Sequence, residues 1–335
     1  MEYPKFKVTV SCMTYNQSKY ITDAMNGFTM QQTSFPFVCT IVDDASTDGE
    51  QDVIRKYVEE NFDFSEDSVA FHKETDYAHI TYAQHKTNKN CYFAVLYLKE
   101  NHHSQKKPKL PYLEEWQKNV EFGALCEGDD YWIVPDKLEK QVMFLSKYKD
   151  FSLCGSNGII VWEYGDNPPS YFNQYFENRE LTPDCIIGHW SMPTASLLYR
   201  MSVKNDYPSW TKKIYSGDQT LILIALSKGK IFCFGNLSTI YRRSNINKLS
   251  LSTKYSKGAN GFVQRQHLLL YKEYQNYVGN RFEKELNEHI KKLEKDVRFY
   301  NHRNKYSILA YIINYKFVIK NLYKILKCKL MKELN

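Results

Sequence analysis

The sequence predicts an α/β protein in which a mostly parallel β-sheet is flanked by helices and followed by a helical extension. Two observations predict this class. Short apolar, β-branched segments alternate with helical patterns over residues 6–60, and this β-α-β-α order builds a parallel sheet. From about residue 250 the pattern is helical and charged, without strands. We therefore predict a sheet-containing domain over 1–250 and a helical extension with an amphipathic basic tail over 251–335.

The first four elements follow one another closely. Residues 6–12 are rich in β-branched side chains and predict a strand, and a helical pattern runs from 20 to about 31. Residues 37–42 predict the second strand, and 50–60 the second helix. Each strand is followed by a short polar turn, as expected where a strand meets a crossover helix.

The middle of the chain contains an acidic loop, Glu127-Gly128-Asp129-Asp130. An apolar segment, 120–126, precedes it, and Pro135 and a helical pattern follow it, so we expect a strand, a loop and a helix. Residues 62–90 show no clear pattern. The polar, basic segment 102–109 predicts a solvated surface loop.

The remaining elements are predicted from shorter signals. An apolar helix should begin near Asp218 and end before Lys228-Gly229. Further strands are expected at 153–154, 158–162, 194–200, 231–234 and 237–243, and further helices at 267–277 and 281–299. The tail, 306–329, alternates apolar and lysine positions in steps of three and four, which suits a membrane interface, packing on the domain or pairing with a partner helix.

The amino-acid composition and net charge restrict the classes of protein and ligand that need to be considered. The net charge of +7 suits a phosphorylated ligand or an anionic membrane surface, and no nucleic-acid-binding module is recognisable. A mean hydropathy of −0.56 excludes a polytopic membrane protein. The eight cysteines lack metal-ligand spacing, so we expect reduced thiols and a cytoplasmic protein without a signal peptide. Neither GxGxxG nor GxxxxGK[ST] occurs.

The acidic loop alone permits two interpretations. Packed carboxylates repel one another unless a cation holds them, and a divalent ion bound to phosphate oxygens would do so. Alternatively, the loop is a solvated turn in which Asp129 or Asp130 helps to cap the next helix. The other strand ends favour a site, because polar groups also follow the first two strands, at Thr14-Tyr15-Asn16 and at Asp43-Asp44. The ends of parallel strands meet at one edge of a sheet, where ligands bind.

These segments resemble the family 2 glycosyltransferases, the inverting, nucleotide-sugar-dependent class with the GT-A fold. The resemblance covers about residues 5–245 and does not extend to the tail. It is carried by the segments VTVSCMTYN (8–16), IVDDASTD (41–48), CEGDDYW (126–132), KLEKQ (137–141) and GDQ (217–219).

The resemblance implies roles for the donor-binding residues. Thr14, Tyr15 and Asn16 would line the nucleotide pocket, and Asp43 or, preferably, Asp44 would accept a hydrogen bond from the base. The DxD motif of the family maps to Glu127-Gly128-Asp129, so Asp129 would bind Mg²⁺ or Mn²⁺ and Asp130 would lie beside it. Glu127 stands where the family has its first Asp, and Ser244 where it often has His.

The resemblance also implies the chemistry. Asp218 would be the catalytic base, and Trp132 and Thr194 would contact the acceptor. The alternatives are that Trp132 only packs the acidic loop and that Asp218 only caps its helix. The enzyme would transfer a hexose or N-acetylhexosamine, from a UDP-linked donor, to a glycan or lipid-linked acceptor during the synthesis of a surface polysaccharide of the cell envelope. It would work in the cytoplasm, in peripheral contact with the inner face of the membrane. The alternatives are an inactive GT-A-fold scaffold acting through its helical tail and, more distantly, a nucleotidyltransferase.

Overall fold

Two apolar strands near the N-terminus, Val8–Thr14 (β1) and Phe37–Asp43 (β2), form the centre of the protein in the computed structural model, which describes residues 3–163, 167–243 and 261–303. All of β2 is buried, and so is β1 except Met13. Continuous burial is typical of parallel strands that are covered on both faces. The two strands pair in parallel along their whole length, as the crossover helix Ile21–Thr29 (α1) between them requires.

The other elements follow in chain order. The described strands that follow are Phe62–Asp63 (β3), Phe71–Glu74 (β4), Ala78–His85 (β5), Cys91–Leu98 (β6), Phe122–Leu125 (β7), Tyr131–Trp132 (β8), Phe151–Trp162 (β9), Ser170–Tyr171 (β10), Arg179–Leu181 (β11), Leu198–Arg200 (β12) and Lys230–Arg243 (β13). The helices are Glu50–Asn61 (α2), Glu114–Gln117 (α3), Lys137–Lys147 (α4), Pro183–Ile186 (α5), Met201–Asn205 (α6), Gly217–Lys228 (α7), Phe262–Val278 (α8) and Glu283–Arg303 (α9).

All of these strands belong to one mixed sheet, whose main path runs β11-β13-β9-β12-β7-β1-β2-β6-β5-β3. Its centre, β7-β1-β2-β6, is parallel. On the β5 side the pairing is antiparallel, and on the other side β12 is antiparallel to both of its neighbours. The predicted α/β class, with a parallel centre flanked by helices and with helices at the C-terminus, is confirmed.

Several element boundaries differ from the sequence prediction. The pairs of strands expected at 153–162 and 231–243 are two long strands, β9 and β13, which pair with each other in parallel. Residues 194–196 form a 3₁₀ turn, so the strand expected at 194–200 is limited to β12. The helix after the acidic loop begins at Lys137, and the predicted apolar face, which is Leu138, Val142 and Leu145, is buried.

The chain divides into two compact units. Within the described residues, one comprises 3–209 and 217–243, and the other comprises 210–216 and 261–303. In the second unit, α8 and α9 lie antiparallel: Lys272 pairs with Glu294 at 2.7 Å, and the Gln275 amide donates to Asn287 at 2.8 Å. Leucine, isoleucine and tyrosine side chains are buried on their facing sides, at Leu270, Tyr271, Tyr274, Leu286, Ile290 and Leu293.

No helix in the described ranges 3–163, 167–243 and 261–303 is both long and apolar enough to cross a membrane. The amphipathic tail predicted at 306–329 lies outside the residues that the structure describes.

Candidate active site

Three polar loops meet at the carboxyl edge of β1, β2 and β7. The backbone N–H of Asp44 donates to the Thr14 carbonyl at 3.0 Å, and that of Gly128 donates to the Met13 carbonyl at 3.2 Å. The first bond extends the β1–β2 ladder by one residue, and the second continues the β1–β7 pairing, which ends at Leu125, into the acidic loop. The loops that the sequence singled out at 14–16, 43–46 and 127–130 are therefore neighbours.

A buried glutamate, Glu50, holds the first two loops together. Its carboxylate accepts hydrogen bonds from the Thr14 hydroxyl, the Gln17 backbone N–H (2.9 Å) and the Ser46 hydroxyl (2.8 Å). Burial raises the pKa of Glu50, and the three donors oppose this rise. Glu50 is the first residue of α2, where a carboxylate is favoured by the helix dipole.

The loop residues expected at the nucleotide differ in exposure. Thr14 is buried and serves this network, whereas Tyr15 and Asn16 are only partly buried. Asn16 has a positive φ of 54°, accepts the Thr47 N–H at 2.7 Å through its side chain, and donates its own N–H to the Ser46 hydroxyl. These bonds tie the turn to the loop after β2 and leave Tyr15 partly exposed at this edge.

Asp43 and Asp44 are both buried, with different partners. Asp43 Oδ1 accepts the Ser46 N–H at 3.1 Å and the Gln51 amide at 2.6 Å, while its Oδ2 is buried without a hydrogen-bond partner among the described residues. Burial raises the pKa of Asp43. Asp44 is 1% exposed, and its carboxylate accepts three donors from the segment 102–109. In this conformation Asp44 is covered, so a base reaches it only if that segment changes partners.

The acidic loop is held by an arginine from β13. The Asp130 carboxylate accepts the Arg242 backbone N–H at 2.9 Å, and the Arg242 guanidinium donates to the Asp129 carbonyl at 3.1 Å and pairs with Asp23. The guanidinium also lies 4.5 Å from the centre of the Tyr131 ring. One side chain thus joins the loop to β13 and to α1.

The carboxylates of the acidic loop repel one another when they are ionised, which disfavours their charged forms. Burial raises the pKa of Glu127 to about 8, and the charges of Asp129 and Asp218 add to this rise, while the Lys109 ammonium opposes it. Burial also raises the pKa of Asp129 and Asp130, and the negative charge of Asp129 raises that of Asp130 further. A cation bound here would favour the ionised forms and would lower all three pKa values.

These carboxylates are hard oxygen donors of the kind that Mg²⁺ and Mn²⁺ prefer. Within residues 3–163, 167–243 and 261–303, no three His, Cys, Asp or Glu side chains converge as a complete metal-ligand set. Mg²⁺ is usually bound through one or two carboxylates and completed by phosphate oxygens and water. The residues therefore fit a divalent ion that is shared with a bound phosphate.

Asp218 lies in the first turn of α7, as the sequence predicted. Its Oδ1 accepts the N–H of Gln219 at 2.7 Å, and its Oδ2 accepts the Thr194 hydroxyl at 2.9 Å. Both Asp218 and Thr194 are only partly buried. Thr194 precedes Ala195, whose carbonyl accepts the Trp132 indole N–H, so Asp218 is connected to the end of the acidic loop, and its negative charge contributes to the raised pKa of Glu127.

Trp132, which the sequence suggested as a floor for an acceptor sugar, is a core residue. It is 1% exposed, its indole N–H donates to the Ala195 carbonyl at 2.7 Å, and the Phe28 ring packs at 5.0 Å. The Lys137 ammonium lies 4.3 Å from the centre of its ring. No face of the ring remains for a sugar, so Trp132 fixes the end of the acidic loop instead.

An exposed aromatic group lies on the chain segment next to Asp218. Trp190 is 41% exposed and forms edge contacts with Phe172 and Tyr241, each at 6.0 Å between ring centres. The carbonyl of His189 accepts the Gln219 side-chain amide at 3.0 Å, which ties this segment to the start of α7. The sequence analysis did not single out Trp190, because its neighbours in space come from three distant segments.

Position 128 requires glycine because neighbouring side chains leave no room for a Cβ. A Cβ at this position would lie 2.4 Å from the Thr14 hydroxyl oxygen and 2.5 Å from the Gln17 side-chain oxygen. Thr14 is buried and bonded to Glu50, so it has no room to move away. We expect Gly128→Ala to lower the free energy of unfolding by about 1–3 kcal/mol, measured by urea denaturation.

The matched control is Gly217→Ala, where a Cβ would meet no atom within 4 Å. This variant should be as stable as the wild type or slightly more stable, because alanine restricts the unfolded chain. Equal stabilities of the Gly128 and Gly217 variants would contradict the steric account of the loop.

Comparisons with known proteins agree with this architecture. No protein-family model matches the sequence. The uncharacterized proteins Rv1520 of Mycobacterium tuberculosis and Mb1547 of Mycobacterium bovis are each 29% identical to the chain over 199 residues. That match covers 59% of this chain and 48% of each relative, so the chain spans about half the length of the curated relatives it matches.

Among solved structures, the crystal structure of S. aureus TarS 1-349 is similar with a TM-score of 0.50 and 17% identity over 90% of this chain and 93% of that one. Its complex with UDP-GlcNAc gives a TM-score of 0.49 at 16% identity, over 90% and 92% of the two chains. The mannosyltransferase PcManGT from Pyrobaculum calidifontis, in complex with GDP-Man and Mn²⁺, gives 0.48 at 13% identity, over 98% and 83%. The similarity to TarS 1-349 shows the fold of this chain, which is the GT-A type that the sequence predicted.

Proposed function

We propose that the chain is an inverting glycosyltransferase that uses a nucleotide-sugar donor, with residues 1–250 as its catalytic domain and 251–335 as a helical extension. The observation that carries the proposal is the meeting of three polar loops at one sheet edge. Asp218 is linked to the same edge through Thr194, whose neighbour Ala195 accepts the indole N–H of Trp132 at the end of the acidic loop. The GT-A fold and the family 2 resemblance of the same segments support it.

In the proposed reaction, the acidic loop receives the diphosphate of the donor. Asp129 would hold a Mg²⁺ or Mn²⁺ ion with Asp130 beside it, and Arg242 fixes the loop through Asp130 and the Asp129 carbonyl. When bound, the ion would stabilise the negative charge that develops on the leaving diphosphate. The partial burial of the loop strengthens every electrostatic interaction within it.

Asp218 would take the proton from the acceptor hydroxyl as that oxygen attacks the anomeric carbon from the side opposite to the diphosphate. A single displacement of this kind inverts the anomeric centre, as in an inverting glycosidase in which a sugar hydroxyl replaces water. Thr194 donates to Asp218 Oδ2 and would hold the carboxylate in position. An ionised carboxylate at a helix N-terminus suits a base.

For the acceptor, we propose Thr194 and the exposed Trp190 in place of Trp132. Trp190 offers an exposed aromatic face on the segment that is bonded to Gln219. We propose a glycan or lipid-linked acceptor and a role in the synthesis of a cell-envelope polysaccharide. The seven cysteines of the described residues are free thiols, which supports a reducing, cytoplasmic setting.

A donor panel tests the function. Purified full-length chain is incubated with UDP-glucose, UDP-galactose, UDP-GlcNAc and GDP-mannose, and release of the nucleoside diphosphate is followed with and without Mn²⁺. We expect metal-dependent release from one class of donor, by slow hydrolysis even without an acceptor. Absence of both binding and release for every donor would overturn the proposed function and favour the inactive-scaffold alternative.

A further prediction concerns the tail. The sequence of 306–329 interleaves Lys316, Lys320, Lys324 and Lys327 with apolar residues, and each lysine near an anionic surface contributes about 1 kcal/mol of binding. We expect the full chain to float with anionic vesicles and a chain ending at Asn304 to remain unbound. The control is neutral phosphatidylcholine vesicles. Equal flotation of both chains, or no binding by the full chain, would favour packing or a partner helix.

A further inference from the structure

The loop that follows β6 lies over the carboxylate of Asp44. The backbone N–H groups of His102 and His103 donate to Asp44 Oδ1 and Oδ2 at 2.8 Å and 3.0 Å. The Asn101 side chain donates to the Asp44 carbonyl at 2.9 Å. Residues 103–108 are exposed, as predicted for a solvated surface loop, but the loop is also bonded to the end of β2, and His102 is 1% exposed.

Lys109 of the same loop adds a positive charge beside the Asp44 carboxylate. Its ammonium lies 2.8 Å from Asp44 Oδ2, and its side chain is 21% exposed. Asp44 donates its backbone N–H to the Thr14 carbonyl, and Gly128 of the acidic loop lies against Thr14, so Lys109 is bonded at the sheet edge that both acidic segments share. Among the residues that the structure describes, Lys109 has a single ion-pair partner, which is Asp44.

The ion pair is not the only bond between the loop and the Asp44 carboxylate. The backbone N–H groups of His102 and His103 also donate to it, so two hydrogen bonds remain when Lys109 changes partner. Arg242 differs, because its guanidinium is engaged with Asp23, the Asp129 carbonyl and aromatic rings. Compared with Arg242, Lys109 has fewer bonds to break, and its flexible four-carbon stem lets the ammonium change partner.

We propose that the Lys109–Asp44 ion pair is a recognition latch for the donor: Lys109 transfers to a phosphate oxygen of the nucleotide, and Asp44 Oδ2 then accepts an N–H of the base. The inference rests on the proposed function. It reconciles the covered state of Asp44 with a role in binding the base, because a ligand that carries both a diphosphate and a base N–H supplies a new partner for each half of the pair. A nucleoside has no phosphates, so it offers a hydrogen-bond donor to Asp44 but no anionic partner to Lys109.

The test compares nucleotides with nucleosides. Binding of UDP and uridine, and of GDP and guanosine, is measured by isothermal titration calorimetry with the full chain and with Lys109→Met. The variant lacks the cation and leaves Asp44 Oδ2 with the His103 N–H as its remaining partner. We expect its affinity for the nucleoside diphosphate to fall about 10-fold or more, because a charge-assisted bond is lost. Its affinity for the matching nucleoside should stay equal or increase.

Two control variants sharpen the result. Lys107→Met removes a lysine of the same loop that pairs with Glu100 instead, and it should bind both ligands like the wild type. Lys109→Arg should restore most of the diphosphate affinity. Equal losses for nucleotide and nucleoside would mean that Lys109 only holds the loop and would overturn the inference, as would unchanged diphosphate affinity in Lys109→Met.

Failure of the proposed function gives a different pattern. In that case the wild type itself would bind neither UDP nor GDP and would release no nucleotide from any sugar donor, which overturns the function and the latch together. A wild type that binds a nucleoside diphosphate, combined with a Lys109→Met variant that binds it equally well, overturns the latch alone.

Discussion

Replacing Asp218 with Asn is expected to slow sugar transfer by about 100-fold or more while the fold and the donor affinity stay close to wild type. Asn caps a helix about as well as Asp, and its side-chain oxygen can still accept the Gln219 N–H. Its amide can donate to the Thr194 hydroxyl, which then acts as the acceptor. What Asn cannot do is take a proton from the acceptor sugar.

Three measurements check this prediction: the thermal midpoint, the affinity for the nucleoside diphosphate, and the rate of transfer at saturating donor. The matched control is Asp206→Asn, another aspartate that contacts α7, through Lys228 at 2.9 Å, but with a side chain that is 77% exposed. That variant should transfer sugar at the wild-type rate. Normal transfer by Asp218→Asn would leave Asp218 as a helix cap and require another base.

Replacing Asp129 with Asn should remove most of the metal-dependent donor binding and nearly all turnover. The substitution keeps the size of the side chain, and the carbonyl of residue 129 can still accept the Arg242 guanidinium. It removes one negative charge from a loop whose carboxylates already repel one another. The variant should therefore be as stable as the wild type or more stable, which separates a loss of function from a loss of fold.

The measurement is donor affinity and nucleoside diphosphate release over a Mn²⁺ titration. Asp136→Asn is the control, since this aspartate precedes α4, pairs with Lys140 at 2.7 Å and has a side chain that is 44% exposed. It should give the wild-type metal response. Wild-type activity that survives a chelator, or an Asp129→Asn variant that responds normally to Mn²⁺, would contradict the role of Asp129.

Local patterns were sufficient to predict the central strands and the loops that follow them. Strands β1, β2 and β7 are short apolar runs that end in polar residues, and their parallel order follows from the helices between them. Because the carboxyl ends of parallel strands lie at one edge of a sheet, the sequence alone predicted that Thr14, Asp43 and Asp129 lie close together. The start of α7 at Gly217, with Asp218 beside it, was also a local signal.

Features that depend on distant pairing could not be predicted in this way. The segment 62–90 contains β3, β4 and β5, whose antiparallel partners decide their structure more than their composition does. Trp132 follows an acidic loop and looks exposed in sequence, yet Phe28 and Ala195 cover it. Lys109 belongs to a basic, polar stretch, and only the fold reveals that this stretch meets Asp44.

The hydrogen bonds that Glu50 makes limit how the loops at this sheet edge can be redesigned. One carboxylate bonds to Thr14, Gln17 and Ser46, and Gly128 of the acidic loop lies against Thr14. Grafting either of the first two loops from another protein would leave buried hydrogen-bonding groups unmatched, and each unmatched group costs about 1–3 kcal/mol. An acidic loop with a side chain at residue 128 would collide with Thr14. Attempts to redesign this edge should therefore exchange the three loops and residue 50 together.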